Sequence, residues 1–519
     1  MVPGGVLLEL KIMQESIYDP GFAAFGGGSS GSVLHPIVLG AVGAIAVLTF
    51  TLKRKYVVVP LLLGMLLIPF GQNFYIGGFH LFTFRLLVLL GCTRVAFSGL
   101  SSKDGFFPGG LNILDKFFLT WAIYRALATI LLYREVGAAV NQAAFLWDAL
   151  GAYFLLRGLI ENEEDIGRAV KVLAVVAVVA AAGMLYEQFH GQNFFGFLGG
   201  VRPIPEMREG RVRSQAVFGH ALLAGAFGAT TFVLFIWLWK KTKTWLIPFV
   251  GMAAALVMVY AASTSTPLMA LIGGIFALCL WPVREHMRLL RWGIVAGIVS
   301  LHLVMKAPVW YVLAHIDLSG GSTGAHRAEL IDNFIRHFFD WWLIGTHDNV
   351  NWGWDMWDQC NQYILEGENG GLIAFVCFIA MFVICYRWIG MARKASVGDK
   401  HREWLFWILG AAFFAQSMAF FGVDYFDQTK AVWYFLLVTV VVATRFAREP
   451  AFAPAAAKTE ERALTIRKPW EPLPAHQGKL EKTLTKLSLA RHTSEASRHE
   501  EPERSPGPGF SSWQQWRKR

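Results

Sequence analysis

GGSTGAHRAELIDNFIRHFFDWWLIGTHDNVNWGWDMWDQCNQYILEGENGG, residues 320–371, is the heart of the longest water-compatible segment lying between two apolar stretches of the chain. The whole polar segment runs from about Lys306 to Glu368. Within it Leu330, Ile331, Phe334, Ile335, Phe338, Phe339 and Trp342 recur at helical spacing, with Arg327, Glu329, Asp332, Asn333, Arg336, His337 and Asp340 on the other face. The pattern predicts an amphipathic helix over 326–342, aromatic enough to lie at a membrane surface or to roof a helix bundle. Asp332 and Arg336 are one turn apart and are expected to pair. A Trp-rich turn region, Gly345 to Trp357, follows, and His347, Asp348, Asn349, Asp355, Asp358, Asn361 and Tyr363 gather in and just after it.

Outward from this segment the chain is apolar. Of its 519 residues 55% are hydrophobic and only 16% charged, where a soluble protein carries about a quarter charged. The apolar residues come in blocks at about 34–52, 56–74, 79–97, 116–133, 138–158, 168–187, 217–239, 245–262, 266–283, 291–305, 370–389, 404–422 and 430–446. Most match the ~17–25 residues a membrane helix needs. The expectation is an all-α polytopic integral membrane protein with about thirteen transmembrane helices and one large extracytoplasmic loop, 306–368. The net charge of +10 is not a nucleic-acid footprint, because it is spread over short loops and the tail. Lys53-Arg54-Lys55, Lys240/Lys241/Lys243, Arg284/Arg288/Arg291, Arg393/Lys394/Lys400/Arg402 and the basic tail all follow odd-numbered stretches. One orientation satisfies them all: amino terminus (1–33) outside, transmembrane domain 34–446, and a disordered basic tail (447–519) in the cytoplasm. The first ~30 residues lack the basic and apolar regions of a cleavable signal. Leu480, Leu484 and Leu487 among lysines allow either a short helix on anionic lipid or a solvated tail. Five cysteines, four of them in apolar stretches, give neither a disulfide framework nor a zinc spacing.

Two long segments, 188–216 and 306–368, then fall outside the cytoplasm. They carry Arg202, Arg208, Arg211 and Arg213, and Arg327 and Arg336. Long outer loops escape the charge rule, so each arginine admits a solvated reading. Clustered guanidinium groups also suit phosphate, which they bind bidentately. Inside the apolar stretches lie Arg85, Arg125 and Asp148. Charges at that depth face the bundle and find partners. The short turn between the fourth and fifth stretches predicts an Arg125–Asp148 pair, while Arg85 is placed to reach an anionic headgroup. Residues 263–267, STSTP, read as a cap for the ninth helix with Pro267 in its first turn.

Three segments carry a resemblance. GRVRSQAVFGHALLAGAF, 210–227, is an Arg-containing run entering a Gly- and Ala-rich helix. Arg327 opens the loop helix, which ends at Trp342-Leu343-Ile344-Gly345. Asn361-Gln362-Tyr363 is followed by Glu368-Asn369-Gly370-Gly371-Leu372. Together, over roughly residues 80–440, the chain resembles the O-antigen ligase/O-antigen polymerase superfamily of bacterial membrane glycosyltransferases. The resemblance implies a multi-pass protein of the bacterial cytoplasmic (inner) membrane. Such a protein transfers a glycan from an undecaprenyl-diphosphate carrier to an acceptor hydroxyl at the outer face, without a nucleotide sugar, a metal or a cofactor. It implies a polysaccharide or lipid acceptor, membrane lipids and other polysaccharide-assembly proteins as partners. Arg211, Arg213 and Arg327 would bind the diphosphate. Arg85, Asn361 and Tyr363 are further candidates for substrate binding.

The pattern departs at one position. In the ligases a histidine, the proposed base, immediately precedes the Asn of the third motif, and here Cys360 stands there. Another group then serves as base, with His347, Asp348, Asp358 and Glu368 as candidates, or the chemistry needs no such base. This favours a polymerase-like role over a standard ligase. A lipid-linked glycan flippase, a non-catalytic member of the superfamily and a membrane peptidase using Cys360 are the alternatives. A flippase requires polar residues along a path through the whole membrane, whereas here they concentrate on one side.

Overall fold

A computed structural model of the chain describes residues 32–76, 79–100, 110–242, 244–315, 324–353, 355–356 and 360–448. The segments expected at 1–33 and 447–519 lie almost wholly outside the described residues, as does Asp358. In chain order the helices are α1 (Pro36–Thr51), α2 (Arg54–Leu67), α3 (Thr83–Leu100), α4 (Ile113–Tyr133), α5 (Val136–Leu146), α6 (Ala152–Leu159), α7 (Glu163–His190), α8 (Ala221–Lys241) and α9 (Leu246–Ala261). They continue with α10 (Ser265–Cys279), α11 (Met287–Val304), α12 (Gly324–Arg336), α13 (Phe338–Trp341), α14 (Gln362–Ala395), α15 (Lys400–Ala419), α16 (Lys430–Ala443) and α17 (Arg445–Arg448). Two small antiparallel hairpins interrupt them: β1 (Asn73–Ile76) with β2 (Phe79–Phe82), and β3 (Glu206–Arg208) with β4 (Arg211–Arg213).

The described part is thus mostly helical, and five segments are long and apolar enough to cross a membrane: Ile113–Tyr133, Glu163–His190, Ala221–Lys241, Trp281–Val304 and Gln362–Ala395. Shorter apolar helices are α1, α9, α10 and α16. Local chemistry starts several of them. Asn112 and Asp115 form a reciprocal capping box on α4, and Asn162 caps α7 ahead of Glu163, Glu164 and Asp165. Both satisfy amide groups that a helix start leaves without partners, and the acids meet the positive end of the helix dipole. Small residues then set how closely helices approach. A side chain at Gly228 of α8 would meet the Ala255 carbonyl of α9 at 2.8 Å, and one at Gly225 would meet Pro267. α8 is packed on nearly all sides, whereas α11 has no buried residue.

Three elements differ from the sequence reading, each for a local reason. The fifth stretch is α5, a π-helical turn at Trp147–Gly151, and α6. The eleventh begins at Gln362, eight residues earlier than its apolar composition indicates, because Asn361 caps it through the amides of Tyr363 and Ile364. It changes direction at Gly371, whose φ is +63°. The amphipathic helix is present but divided at His337 into α12 and α13. Its expected Asp332–Arg336 pair forms at 2.7 Å, and Trp310 also donates to Asp332.

Candidate functional site

The sequence Glu366-Gly-Glu-Asn-Gly-Gly371 decides where the site lies. Gly367 packs against the rings of Phe334 and Trp341, and Gly370 against the Arg125 backbone. At Gly371 a side chain would overlap the Leu343 carbonyl. The start of α14 therefore sits directly on α4 and on the turn after α13. The Thr129 hydroxyl donates to the Asn369 carbonyl (2.8 Å), and the Leu372 amide donates to the Trp342 carbonyl (2.8 Å). This contact presents Glu366 to α4. Trp121 Nε1 donates to its Oε2 at 2.7 Å, Gln362 donates to its Oε1 at 2.6 Å, and Arg125 stands 3.5 Å away.

Beside Glu366 opens a cavity of about 350 Å³, bounded by α3, α4, α5, α14, α16 and the segment before α16. Arg85, Arg125 and Lys430 line it, with the carboxylates Asp148, Glu366 and Asp424 and the amides Asn141 and Gln362. Trp121, Phe145, Phe420 and Trp433 supply aromatic walls. The π-helical turn inserts an extra residue into the helical repeat and so re-aims Asp148. Arg85 donates to Asp148 at 3.1 and 3.4 Å, and Lys430 donates at 2.9 Å. The expected Arg125–Asp148 pair is thus corrected: Arg85 and Lys430 hold Asp148, and Arg125 turns to Glu366 and over the Phe145 ring (4.5 Å). Arg125 Nε is buried and makes no hydrogen bond among the described residues.

The segment 420–429 brings Asp424 and Lys430 to the cavity. It leads into α16, one of the shorter apolar helices. Irregular backbone that is buried needs partners for its polar groups. It is satisfied here. Asp427 accepts from the amides of Gly219 (2.8 Å) and Thr429 (2.8 Å) and from the Thr429 hydroxyl, and Gln428 donates to the Val217 carbonyl (2.8 Å). Burial raises the Asp427 carboxyl above its usual range, against the opposing pull of those donors and of Lys430.

Of the residues singled out from the sequence, Arg85, Arg125 and Asp148 line the cavity, and the other described candidates stand elsewhere. Arg213, on β4, pairs with Glu206 at 2.7 Å, and His220 Nε2 lies 3.2 Å from the same carboxylate. His220 Nδ1 accepts from the Leu222 amide, which leaves Nε2 to donate to Glu206. That bond and Arg213 lower the Glu206 pKa from 4.5 to about 2. Arg211 is exposed on the same hairpin. Arg327 donates to the Thr266 hydroxyl (2.8 Å), which donates to the Gly422 carbonyl (3.2 Å). The cap expected from STSTP is not formed by Thr264, the cap residue of α10, whose side chain makes no cap bond. His347 and Asp348 bond each other at 2.9 Å on the surface, near Tyr133. Glu368 is buried and accepts from Asn349 at 3.1 Å. Asn361 is the α14 cap, and Tyr363 donates to the Ser417 carbonyl (3.0 Å).

Sequence reasoning missed Glu366, Lys430 and Asp424 as lining residues. The first had a legible signal: Gln362 and Glu366 stand one turn apart on α14, as Trp121 and Arg125 do on α4. No protein-family model matches the chain, and no curated protein matches it.

Proposed function

We propose that the protein is a membrane glycosyltransferase of the O-antigen polymerase/ligase type. It moves a glycan from an undecaprenyl-diphosphate-linked donor to an acceptor hydroxyl at the outer face of the bacterial cytoplasmic membrane. In this reading about thirteen helices cross that membrane, the amino terminus is outside and the tail is cytoplasmic. The observation that carries it is the cavity at Arg85, Arg125 and Lys430, which Gln362, Leu365 and Glu366 of the segment 306–368 also line. Its three cations and three carboxylates balance in charge. A neutral glycan with many hydroxyls suits such a lining, and the aromatic walls give its apolar faces a surface. The diphosphate would be held by the cations at the rim, with Arg327 and Arg211 beyond it, where guanidinium groups offset charge developing on the leaving phosphate. Acceptor deprotonation falls to a carboxylate within reach. Asp148, Glu366 and Asp424 are the carboxylates that line the cavity, and that role falls to one of these three. It replaces the function that Cys360 lacks.

The test compares lipid-linked glycans in membranes of cells carrying wild type, Arg125→Ala, Asp424→Asn or Arg327→Ala at matched protein level, by mass spectrometry. Build-up of a single-repeat carrier lipid on the outer leaflet supports transfer. Build-up on the inner leaflet indicates a flippase. An unchanged carrier pool in all three variants overturns both readings.

A further inference from the structure

The α12–α13 unit has more apolar surface than the bundle covers. One side is packed: Leu330, Phe334 and Trp341 are buried, and Phe334 and Trp341 stack on each other and meet Phe375 of α14. A second strip, Ile335, Phe339, Trp342 and Leu343, is uncovered, with Phe339 83% and Leu343 56% exposed. We propose that this strip is a lipid-binding surface that sits among the acyl chains of the bilayer. This holds whatever reaction the cavity performs.

Depth is the first argument. The Tyr124 hydroxyl donates to the Leu343 carbonyl at 2.9 Å. Tyr124 is the twelfth of the 21 residues of α4, a helix about 31 Å long, which matches the ~30 Å hydrocarbon layer. Leu343 therefore lies beside the middle of a membrane-length helix, within one side chain's reach, and not beyond its end. The Leu372–Trp342 backbone bond and the close fit of Gly371 against Leu343 fix it there. Continuity is the second argument. Ile123, Leu127 and Leu131 are outward-facing on the same helix α4 and 44–58% exposed, as a lipid-facing stripe would be. Charge is the third. Arg336, His337 and Asp340 stay exposed on the remaining arc of α12–α13, so the unit has a wet side as an interfacial helix requires. Area argues against a protein partner. Four partly exposed side chains offer at most about 500 Å², short of the ~800 Å² each side of a standard interface contributes.

The test uses the full chain in nanodiscs of phosphatidylethanolamine and phosphatidylglycerol. Cys92→Ser, Cys279→Ser and Cys360→Ser remove the accessible thiols, and a nitroxide is placed at Phe339→Cys, Leu343→Cys or, as the water-side control, Glu329→Cys. Collision rates with oxygen and with a water-soluble nickel chelate are read for each. Oxygen exceeding nickel at 339 and 343, with the reverse at 329, supports the proposal. Nickel exceeding oxygen at 339 and 343 means the strip faces water and overturns it. Low accessibility to both, with spin–spin broadening, means a second copy covers the strip and overturns it as well. All three positions are exposed, so each accepts the label without repacking, and the melting temperature of each labelled protein against wild type shows that it is folded.

Discussion

Gly371 is the residue on which the site geometry turns. Its φ of +63° with ψ of −167° lies in a region open essentially to glycine alone, at a cost of roughly 1–3 kcal/mol to another residue, and a side chain would also overlap Leu343. Gly371→Ala should lower the melting temperature in detergent strongly. Gly390→Ala, on the same α14 with no atom within 4 Å of the added methyl, should leave it unchanged or raise it, since helix propensity favours Ala by about 1 kcal/mol. Equal shifts would show that the fit at Gly371 is slack. Glu366 tests the buried pair. Glu366→Ala leaves Arg125 uncompensated, at a cost of about 3–5 kcal/mol, while Glu366→Gln keeps an acceptor for Trp121 and should cost less. Equal unfolding midpoints for the two would mean the charge is irrelevant. Glu206 sets an acid dependence. Its pKa falls from 4.5 unfolded to about 2 folded, so its contribution is complete above pH 4.5 and is lost as pH drops toward 2. Glu206→Gln should flatten the fall in thermal stability across that window, and an unchanged slope would remove the role given to Arg213 and His220.

The elements were legible where periodicity is strong and illegible where the backbone departs from its repeat. The 3.6-residue spacing of 326–342 located α12 and α13 to within two residues, and Asp332–Arg336 followed from one-turn spacing. Nothing in Ala-Phe-Leu-Trp-Asp-Ala-Leu-Gly announces a π-helical turn, so Asp148 was assigned to Arg125 when its actual partners are Arg85 and Lys430. The start of α14 was hidden for another reason: its first turns are polar because they line a cavity, and composition read them as loop. The segment 420–429 makes a further prediction. Asp427→Leu strips three buried donors of their acceptor, each worth about 1–3 kcal/mol, and should leave the protein protease-sensitive in membranes. Asp427→Asn retains an acceptor oxygen and, because burial already disfavours the charged form, should be tolerated. Protease resistance of both would show that Gly219 and Thr429 find other partners.

At the scale of the whole chain, composition alone indicated a helical membrane protein, and the charge pattern proposed its orientation. A fluorescent protein fused after Arg519 should be fluorescent and resist external protease in spheroplasts. Digestion from outside would reverse the orientation and put the cavity on the cytoplasmic face. The site was legible in kind, as arginines and carboxylates near two polar segments. It was not legible in membership, because which charges share a cavity depends on contacts between elements far apart in the chain, such as that of Lys430 with Asp148, 282 residues away. The mixed charge of the cavity also has an electrical consequence. Three cations and three carboxylates share one recess. If, as proposed, that recess opens within an energised membrane, a charged molecule entering it would cross part of the field, at a share of ~2.3 kcal/mol per charge per 100 mV, and a neutral one would not.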